Sequence, residues 1–558
     1  MVGGSGDPGG TEMSEKNDQV ANSALVLLQD HNLPRPKELW GCRHTLALLG
    51  FLGLSLVYAM RVNLSVAIVA MVKENNTAHY NNTSDNDGCP VPDDYDDNDS
   101  GNYNGEFDWD DSTRGLILGS FFYGYALTNF LGGRMAEYLG GKIVFGTGIL
   151  LTAILTLLSP VCARASTTLF IIIRILQGFT EGVTFPSMNF MLASWVPQNE
   201  RPKFSTLVYA GVQFGTVVTM AATGWLCDSD FMGGWPSVFY IFGVLGVVWS
   251  IVWFLLVFNH PQLHPRISEE EREYILYYCG KKREKALPLP WKAVFTSLPV
   301  WAIIVVHFGN NWGFYTLLTE LPTYLDKIQH FNLKSNGLLS ALPYLVMWIF
   351  SLVYCSIVDR LLAASKVSNL AVRRVSMSIG IFGPMLGLIA MCFVNCDEKL
   401  AMGVLCVAVG LNGAVYSGYM SSHQDLSPNL AGSLLGLTNT VATIPGFVSP
   451  VVTGSITEGN ETVSAWRTVF LISAGTYLVT NTFYLVFISA DVQPWNEQQP
   501  KKVPDQNYEP RSVDLEQEDD LRDIAHSHVA SGSTWCRDLC GFEWPRALGY
   551  TALAMNHT

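Results

Sequence analysis

Residues 132–162 read GGRMAEYLGGKIVFGTGILLTAILTLLSPVC, and two kinds of chemistry meet in this stretch. From Lys142 to Cys162 the run is apolar. It matches the roughly 20 residues of helix that the hydrocarbon core of a bilayer requires. Ahead of it, paired glycines at 132–133 and 140–141 allow a tight turn and close helix approach. Arg134, Glu137 and Lys142 stand among those glycines and can form ion pairs that hold the cytoplasmic side shut. Gly133, Arg134, Glu137, Gly141 and Lys142 therefore read as a gate motif. A weaker counterpart, Val358-Asp359-Arg360, occupies the matching place in the second half.

Working outward, runs of the same kind recur along the chain, and about twelve spans are expected. The first six lie near Thr45–Val72, Thr113–Ala136, Lys142–Cys162, Thr168–Trp195, Phe204–Leu226 and Trp235–Phe258. The next six lie near Ser297–Leu325, Gly337–Val358, Val375–Asn395, Leu400–Met420, Leu430–Ile456 and Trp466–Ile488. Composition agrees: the 558 residues are 49% hydrophobic and only 15% charged, unlike a soluble chain of this length. The expected fold is an all-α membrane protein with twelve transmembrane helices in two pseudo-symmetric six-helix bundles. The bundles are expected over 45–258 and 297–489, joined by a cytoplasmic linker over 259–296 that holds a short amphipathic helix. A cytoplasmic tail over 1–44 precedes them, and a second over 490–558 follows and reads as disordered. A channel subunit is the competing architecture, but no pore loop is found.

The first forty residues are polar and contain no cleavable signal peptide, so the first span is expected to act as its own insertion signal. Basic residues set the orientation. Arg134, Lys142, Arg201, Lys203, Lys281–Lys285, Arg360, Lys366, Arg373 and Arg374 fall on one side, which is expected to be cytoplasmic. Glycosylation sequons fall on the other. Asn75, Asn81, Asn82 and Asn98 lie in the loop over 73–112, and Asn460 lies between spans eleven and twelve. Asn63 fits the same pattern but is buried in the first span. The net charge of −14 argues against nucleic acid, although much of it sits in the loop Asp85–Asp111 and in the C-terminal tail. Cys42, Cys162, Cys355, Cys392 and Cys406 read as packing residues. Cys536 and Cys540 lack the further ligands of a zinc set, so no metal is expected. Cys89 in the outer loop is free to form a disulfide with a partner that sequence leaves open.

An ionisable group inside a span costs about 2.5–3.5 kcal/mol on insertion scales and needs a reason to be there. Tyr58, Arg61 and Ser65 share one face of span one. Arg61 lies more than two turns from either end, too deep to snorkel. Its forked donors suit a planar anion. In span four, Arg174 and Glu181 are two turns apart on a stripe that also carries Gln177 and Gly178. A buried carboxylate beside an arginine can change protonation with access and occupancy, as a coupling device must; a structural Arg–Glu pair is the alternative. Tyr315, Asn310, Asn311, His423 and Asp425 are secondary candidates. His307 is expected to be a core histidine satisfied by one hydrogen bond, and Glu320, beside Pro322 near an outer helix end, to be solvated.

The glycine–basic loop resembles the signature loop of the major facilitator superfamily. Tyr58–Ile68 (YAMRVNLSVAI), Gly119–Tyr125 (GSFFYGY), Arg174–Pro186 (RILQGFTEGVTFP) and Ser427–Pro445 (SPNLAGSLLGLTNTVATIP) narrow the resemblance to its anion:cation symporter family. That family holds sialin, the vesicular glutamate transporters and the sodium–phosphate cotransporters. The resemblance covers about residues 40–495. It implies that Arg61 and Arg174 bind the substrate anion, that Glu181 is proton-linked, and that His423 and Tyr315 line the cavity. The chain also departs from its relatives. Asn310 stands where the glutamate carriers have an arginine, Leu118 where they have a histidine, and Gln177 where sialin has a second glutamate. With these departures it looks closest to insect proteins that carry the name of inorganic phosphate cotransporters.

The resemblance implies alternating access about a mid-membrane cavity. The expected activity is sodium-coupled phosphate symport, with Asn310 removing a positive charge from the cavity. Proton-coupled transport of an organic anion from lysosomes or vesicles is the alternative, and an anion channel or a receptor that moves nothing is the competitor from other classes. Asn439 and Thr440 are the guesses for sodium contacts. No enzyme triad and no cofactor are expected beyond the co-transported Na+ or H+. The expected partners are a small inorganic or organic anion and the lipid bilayer, with the protein a monomer in a plasma, lysosomal or vesicular membrane.

Overall fold

The computed structural model describes residues 36, 38, 40–73 and 105–496, apart from 198–199, 230, 280–288, 330, 332, 395, 429 and 460–461. Asn75, Asn81, Asn82, Asn98, Asn460, Cys89, Cys536, Cys540 and Lys281–Lys285 lie outside the described residues, as do most residues of both tails.

Among the described residues twelve long helices follow one another. The first half holds α1 Cys42–Met71, α2 Asp111–Leu139, α3 Gly141–Ala165, α4 Thr167–Trp195, α5 Arg201–Asp228 and α6 Trp235–Leu256. The second holds α7 Leu298–Lys327, α8 Leu333–Ala363, α9 Asn369–Val394, α10 Glu398–Leu426, α11 Ala431–Thr457 and α12 Val463–Phe487. Ten helices among the described residues are long and apolar enough to cross a membrane. The other two, α2 and α7, reach 29 and 30 residues but carry more of the polar groups of the centre. Apolar side chains cover the outside, as at Leu255, Val479 and Phe393, while Arg61, Arg174, Glu181, Asn310 and His423 are buried. This inversion suits a hydrocarbon solvent, in which helices keep the backbone polar groups of a span paired.

Several helices outrun the apolar stretches that mark them. Asp110 caps α2 by accepting from Thr113 N at 2.8 Å, and Asp397 caps α10 by accepting from Leu400 N at 3.0 Å. Such caps satisfy orphan donors and extend a helix past the hydrocarbon. Asn63 is fully buried within α1. Cys396, after α9, is disulfide-bonded.

The segment between the halves folds as expected into a short helix, Glu269–Cys279. Its Glu271 carboxylate accepts from Cys42 N at 2.8 Å and Arg43 N at 3.2 Å. A buried acid thus meets the open donors and positive dipole end of α1. Arg43 pairs with Glu200 at 3.4 Å and lies over the Tyr274 ring, which locks this helix to the first half.

The two ends of the molecule differ. Call the end carrying Lys73 and Gly105 the loop end, and the end carrying Glu269–Cys279 the linker end. At the loop end the halves touch backbone to backbone: a side chain at Gly115 would strike Pro450 O, and one at Gly454 would strike Asp111 O. There α5 meets α8 as closely, with Gly337 against Gly224. At the linker end Gly432 and Gly436 of α11 have nothing within 4 Å of an added Cβ, and Tyr138 of α2 is 85% exposed. The halves are thus in close backbone contact at the loop end.

Candidate functional site

Arg61 is the centre of the charged site. Its Nε donates to Glu181 Oε1 at 2.7 Å across α1 and α4. Its guanidinium lies 4.5 Å from the Tyr58 and Tyr125 ring centroids and 5.0 Å from that of Phe121. Tyr58 is thus on the Arg61 face, as the spacing on α1 requires. Aromatic faces carry partial negative charge and favour a cation that has lost its water.

Arg174 is held differently. Its Nη1 donates to Gln177 Oε1 at 2.9 Å and its Nη2 reaches Arg61 O at 3.4 Å, while its Nε has no hydrogen-bond partner. Gln177 is fixed in turn, donating to Thr156 and Ser159 at 3.1 Å each. The stripe Arg174–Gln177–Gly178–Glu181 is buried as the spacing predicts. The structural-pair alternative is revised: the carboxylate that sits two turns from Arg174 bonds to Arg61 on another helix. Glu181 has no exposed surface, and its second oxygen lacks a hydrogen-bond partner.

Close helix approach builds this arrangement. A Cβ on Gly178 would collide with Phe121 O, and one on Gly182 with Thr128 Oγ1. α2 therefore packs directly onto α4 and brings Phe121 beneath both guanidinium groups, 5.2 Å from that of Arg174. A small pocket opens between the halves, lined by Arg61, Val62, Ser65, Leu118, Phe122, Arg174, Leu318 and Thr319. Its walls come from α1, α2 and α4 on one side and α7 on the other. Tyr315 of α7 is not one of the lining residues but packs behind Phe122, the two rings 4.6 Å apart.

Asn310 and His423 belong to a second cluster, wholly within the second half. Asn310 Oδ1 accepts from Asn412 Nδ2 at 2.8 Å, and Asn412 also donates to Gly380 O at 2.9 Å. That carbonyl sits in the wider turn Ser378–Phe382 of α9, just before Pro384, where the regular helix ladder is interrupted. Asn311 donates to Ala442 O at 2.8 Å. His423 Nε2 lies 2.8 Å and His307 Nδ1 3.2 Å from Thr438 Oγ1. His307 is buried with that one hydrogen bond and rests on the Tyr419 ring at 4.7 Å.

Other expectations are redrawn. Glu320 is only 5% exposed. It sits beneath the loop-end closure, because α7 runs on to Lys327 and places it two turns inside the helix. In the gate motif Arg134 pairs with Glu137 at 2.9 Å on a solvated face. Lys142 lies over the Phe258 ring at 4.5 Å, and its N–H donates to Asn259 Oδ1 at 3.0 Å. Gly133 approaches Pro186, and Gly141 packs on Met191. These contacts stay inside the first half, so the motif fastens the α2–α3 turn to α4 and the end of α6. The Thr440 hydroxyl donates to Gly436 O of its own helix. Asp425, another sequence candidate, is engaged by Arg373 at 2.6 Å. Sequence reasoning missed Thr438, Asn412 and Gln213. Gln213 of α5 donates to Tyr416 OH of α10 at 2.8 Å, a bond between the halves. Each is a polar residue in an apolar run, a signal the ionisable groups overshadowed.

Residues 50–450 match the Major Facilitator Superfamily. The chain belongs to that superfamily. Human sialin is 44% identical over 81% of this chain and 90% of its own length. A Drosophila melanogaster protein named “Putative inorganic phosphate cotransporter” is 40% identical over 83% and 88%, and vesicular glutamate transporter 3 of Danio rerio is 37% identical over 81% and 74%. Within the superfamily the chain is a transporter of this sialin, phosphate and glutamate carrier type, and a multi-pass membrane protein. Among solved structures, a bacterial homolog of the human lysosomal transporter Spinster superposes with a TM-score of 0.61 over 81% of this chain and 99% of its own, at 14% identity. A D-xylose–proton symporter reaches 0.58 over 80% and 97%, also at 14%. These two share the superfamily fold.

Proposed function

We propose that this transporter carries a small anion together with a proton, with Arg61 as the seat of the anion and Glu181 as the seat of the proton. One observation carries this reading: the guanidinium that an anion needs is already engaged by the Glu181 carboxylate. Anion and carboxylate compete for the same donors. A proton on Glu181 frees Arg61, and the anion then replaces the carboxylate as counter-charge. Losing the anion without losing the proton leaves an unpaired buried guanidinium, which is costly. The two cargoes therefore bind and leave together. The free Nε of Arg174 lies where a bound anion would meet it.

With the basic linker end in the cytoplasm, the close backbone contact at the loop end fits a stage of alternating access that is shut to the outside. The neutral amides and imidazoles of the second half suit the hydroxyl and amide groups of an organic acid, and sialin is among the relatives. Sodium-coupled phosphate symport is the second reading. It is supported by the insect relatives' name and by two arginines near one pocket, while Thr440, a guessed sodium contact, spends its hydroxyl on its own helix. The test is uptake into proteoliposomes of radiolabelled N-acetylneuraminate, glutamate and phosphate. Each is measured with an imposed pH gradient and with sodium or choline. Organic-acid uptake that follows the pH gradient and ignores sodium is expected. Phosphate uptake that requires sodium and ignores pH would replace this reading with the second one.

A further inference from the structure

Glu320 plays no part in the site just described, yet it is a buried carboxyl at the closed end of the molecule. It lies on α7, in the second half, 5% exposed, and its Oε1 has no hydrogen-bond partner. The neighbouring residue, Thr319, lines the Arg61 pocket, so Glu320 sits at the top of the substrate path under the loop-end closure. The charged groups that act on it are Arg114 and, in the opposite sense, Asp111, both on α2 in the first half. Arg114 is already committed to Asp111 at 2.9 Å. Its own helix supplies the Thr319 hydroxyl. Directly above, Asp111 O presses on Gly454 of α11.

We propose that Glu320 is a proton-operated latch on the loop-side gate. With the gate shut, the carboxyl is enclosed by apolar helix surfaces and by an arginine whose charge is already matched. The neutral acid fits this setting and the carboxylate does not. When the halves part at the loop end, water reaches Glu320 and the carboxylate is stabilised. The closed gate therefore binds the proton more tightly than the open one. Acid on the loop side pulls the gate shut, and neutral pH there lets it open. The proton enters and leaves from the same side, so the latch regulates the cycle without adding a transported proton to the one on Glu181.

The full chain in lipid nanodiscs, without substrate, tests this by hydrogen exchange with mass spectrometry at pH 5.5 and 7.5, corrected for intrinsic exchange rates. Segments 110–119 and 447–457 report the loop end, and segments 432–440 the linker end. A Glu181→Gln background removes the enclosed carboxylate of the central site. In that background the loop-end segments are expected to lose protection at least threefold on going from pH 5.5 to 7.5, while the linker-end segment gains it. Adding Glu320→Gln is expected to hold the loop end protected at both values. Loop-end protection that does not change with pH would overturn the proposal without reference to any Glu320 variant. So would a pH response that survives Glu320→Gln.

Discussion

The two halves share one fold and divide the chemistry. The first half places two arginines and a carboxylate within reach of one pocket, with Arg61 bonded to Glu181 and Arg174 held by Gln177. The equivalent depth of the second half holds amides, imidazoles and hydroxyls: Asn310, Asn412, His307, His423 and Thr438. Charge in a membrane is expensive, and a protein that concentrates it in one half must have it neutralised there at every stage. A neutral polar cluster can be solvated or covered at little cost as the halves rock. Under the function proposed above, the first half sets the energetics of coupling and the second half sets the fit of the cargo.

The hardest test removes the central charge. Arg61→Gln leaves Glu181 enclosed without its partner, a loss of about 3–5 kcal/mol if the carboxylate stays ionised. Transport is expected to fall by more than about a hundredfold, as for loss of a charge-assisted anchor. Thermal stability of the purified protein should fall with it. Arg61→Gln combined with Glu181→Gln should recover the stability and none of the transport. If the double variant is no more stable than the single one, the ion pair is not what holds α1 to α4.

Removing only the carboxylate separates coupling from binding. Glu181→Gln keeps shape and a hydrogen-bonding group but cannot release a proton. Uptake driven by a pH gradient should drop at least about tenfold, equivalent to ~1.4 kcal/mol. Exchange of labelled for unlabelled anion at equal pH should persist. Equal loss of both activities at normal expression would make Glu181 a structural residue. A milder change concerns Arg174. Lysine keeps the charge and loses the planar fork, so Arg174→Lys should fold, bind the anion several-fold more weakly and remain coupled. Wild-type affinity would take Arg174 out of the anion's path.

The sequence was most legible where the cost of burial is greatest. Arg61, Arg174 and Glu181 stand out because an ionisable group in an apolar run demands a partner, and helical spacing alone puts Arg174 and Glu181 on one buried stripe. The identity of the partner was not legible. Glu181 meets Arg61, 120 residues away on α1, and the residue that faces it across helices is not marked by any spacing along α4. Glu320 was misjudged for a similar reason. Position near a helix end suggests water, but α11 and α2 close over that end in this state. In the gate motif Arg134 and Glu137 form an ion pair, while the glycines pack on α4 and the Lys142 backbone N–H donates to the Asn259 side chain. Neutral residues such as Thr438 carry no insertion penalty large enough to mark them.

Thr438 therefore supplies the finest test of the division. Its hydroxyl oxygen lies 2.8 Å from His423 Nε2, 3.2 Å from His307 Nδ1 and 3.2 Å from Leu435 O. A hydroxyl has one proton to give and two lone pairs. His423 Nδ1 lies 3.1 Å from Met420 O, a carbonyl that can only accept, so a neutral His423 donates there and accepts at Nε2 from Thr438, while His307 Nδ1 donates to Thr438. Thr438 thus links the tautomers of the two histidines. Thr438→Val keeps the shape and removes the hydroxyl, and each lost hydrogen bond is worth about 0.5–1.5 kcal/mol. The histidines would then turn or change tautomer, and the half-saturating concentration of the anion should rise about three- to tenfold. The ratio of gradient-driven uptake to exchange should stay as in the wild type, because no group that carries the coupled proton has changed. If that ratio collapses as it does for Glu181→Gln, protons are also handled by the second half. The division of labour would then lie between binding steps and not between the halves.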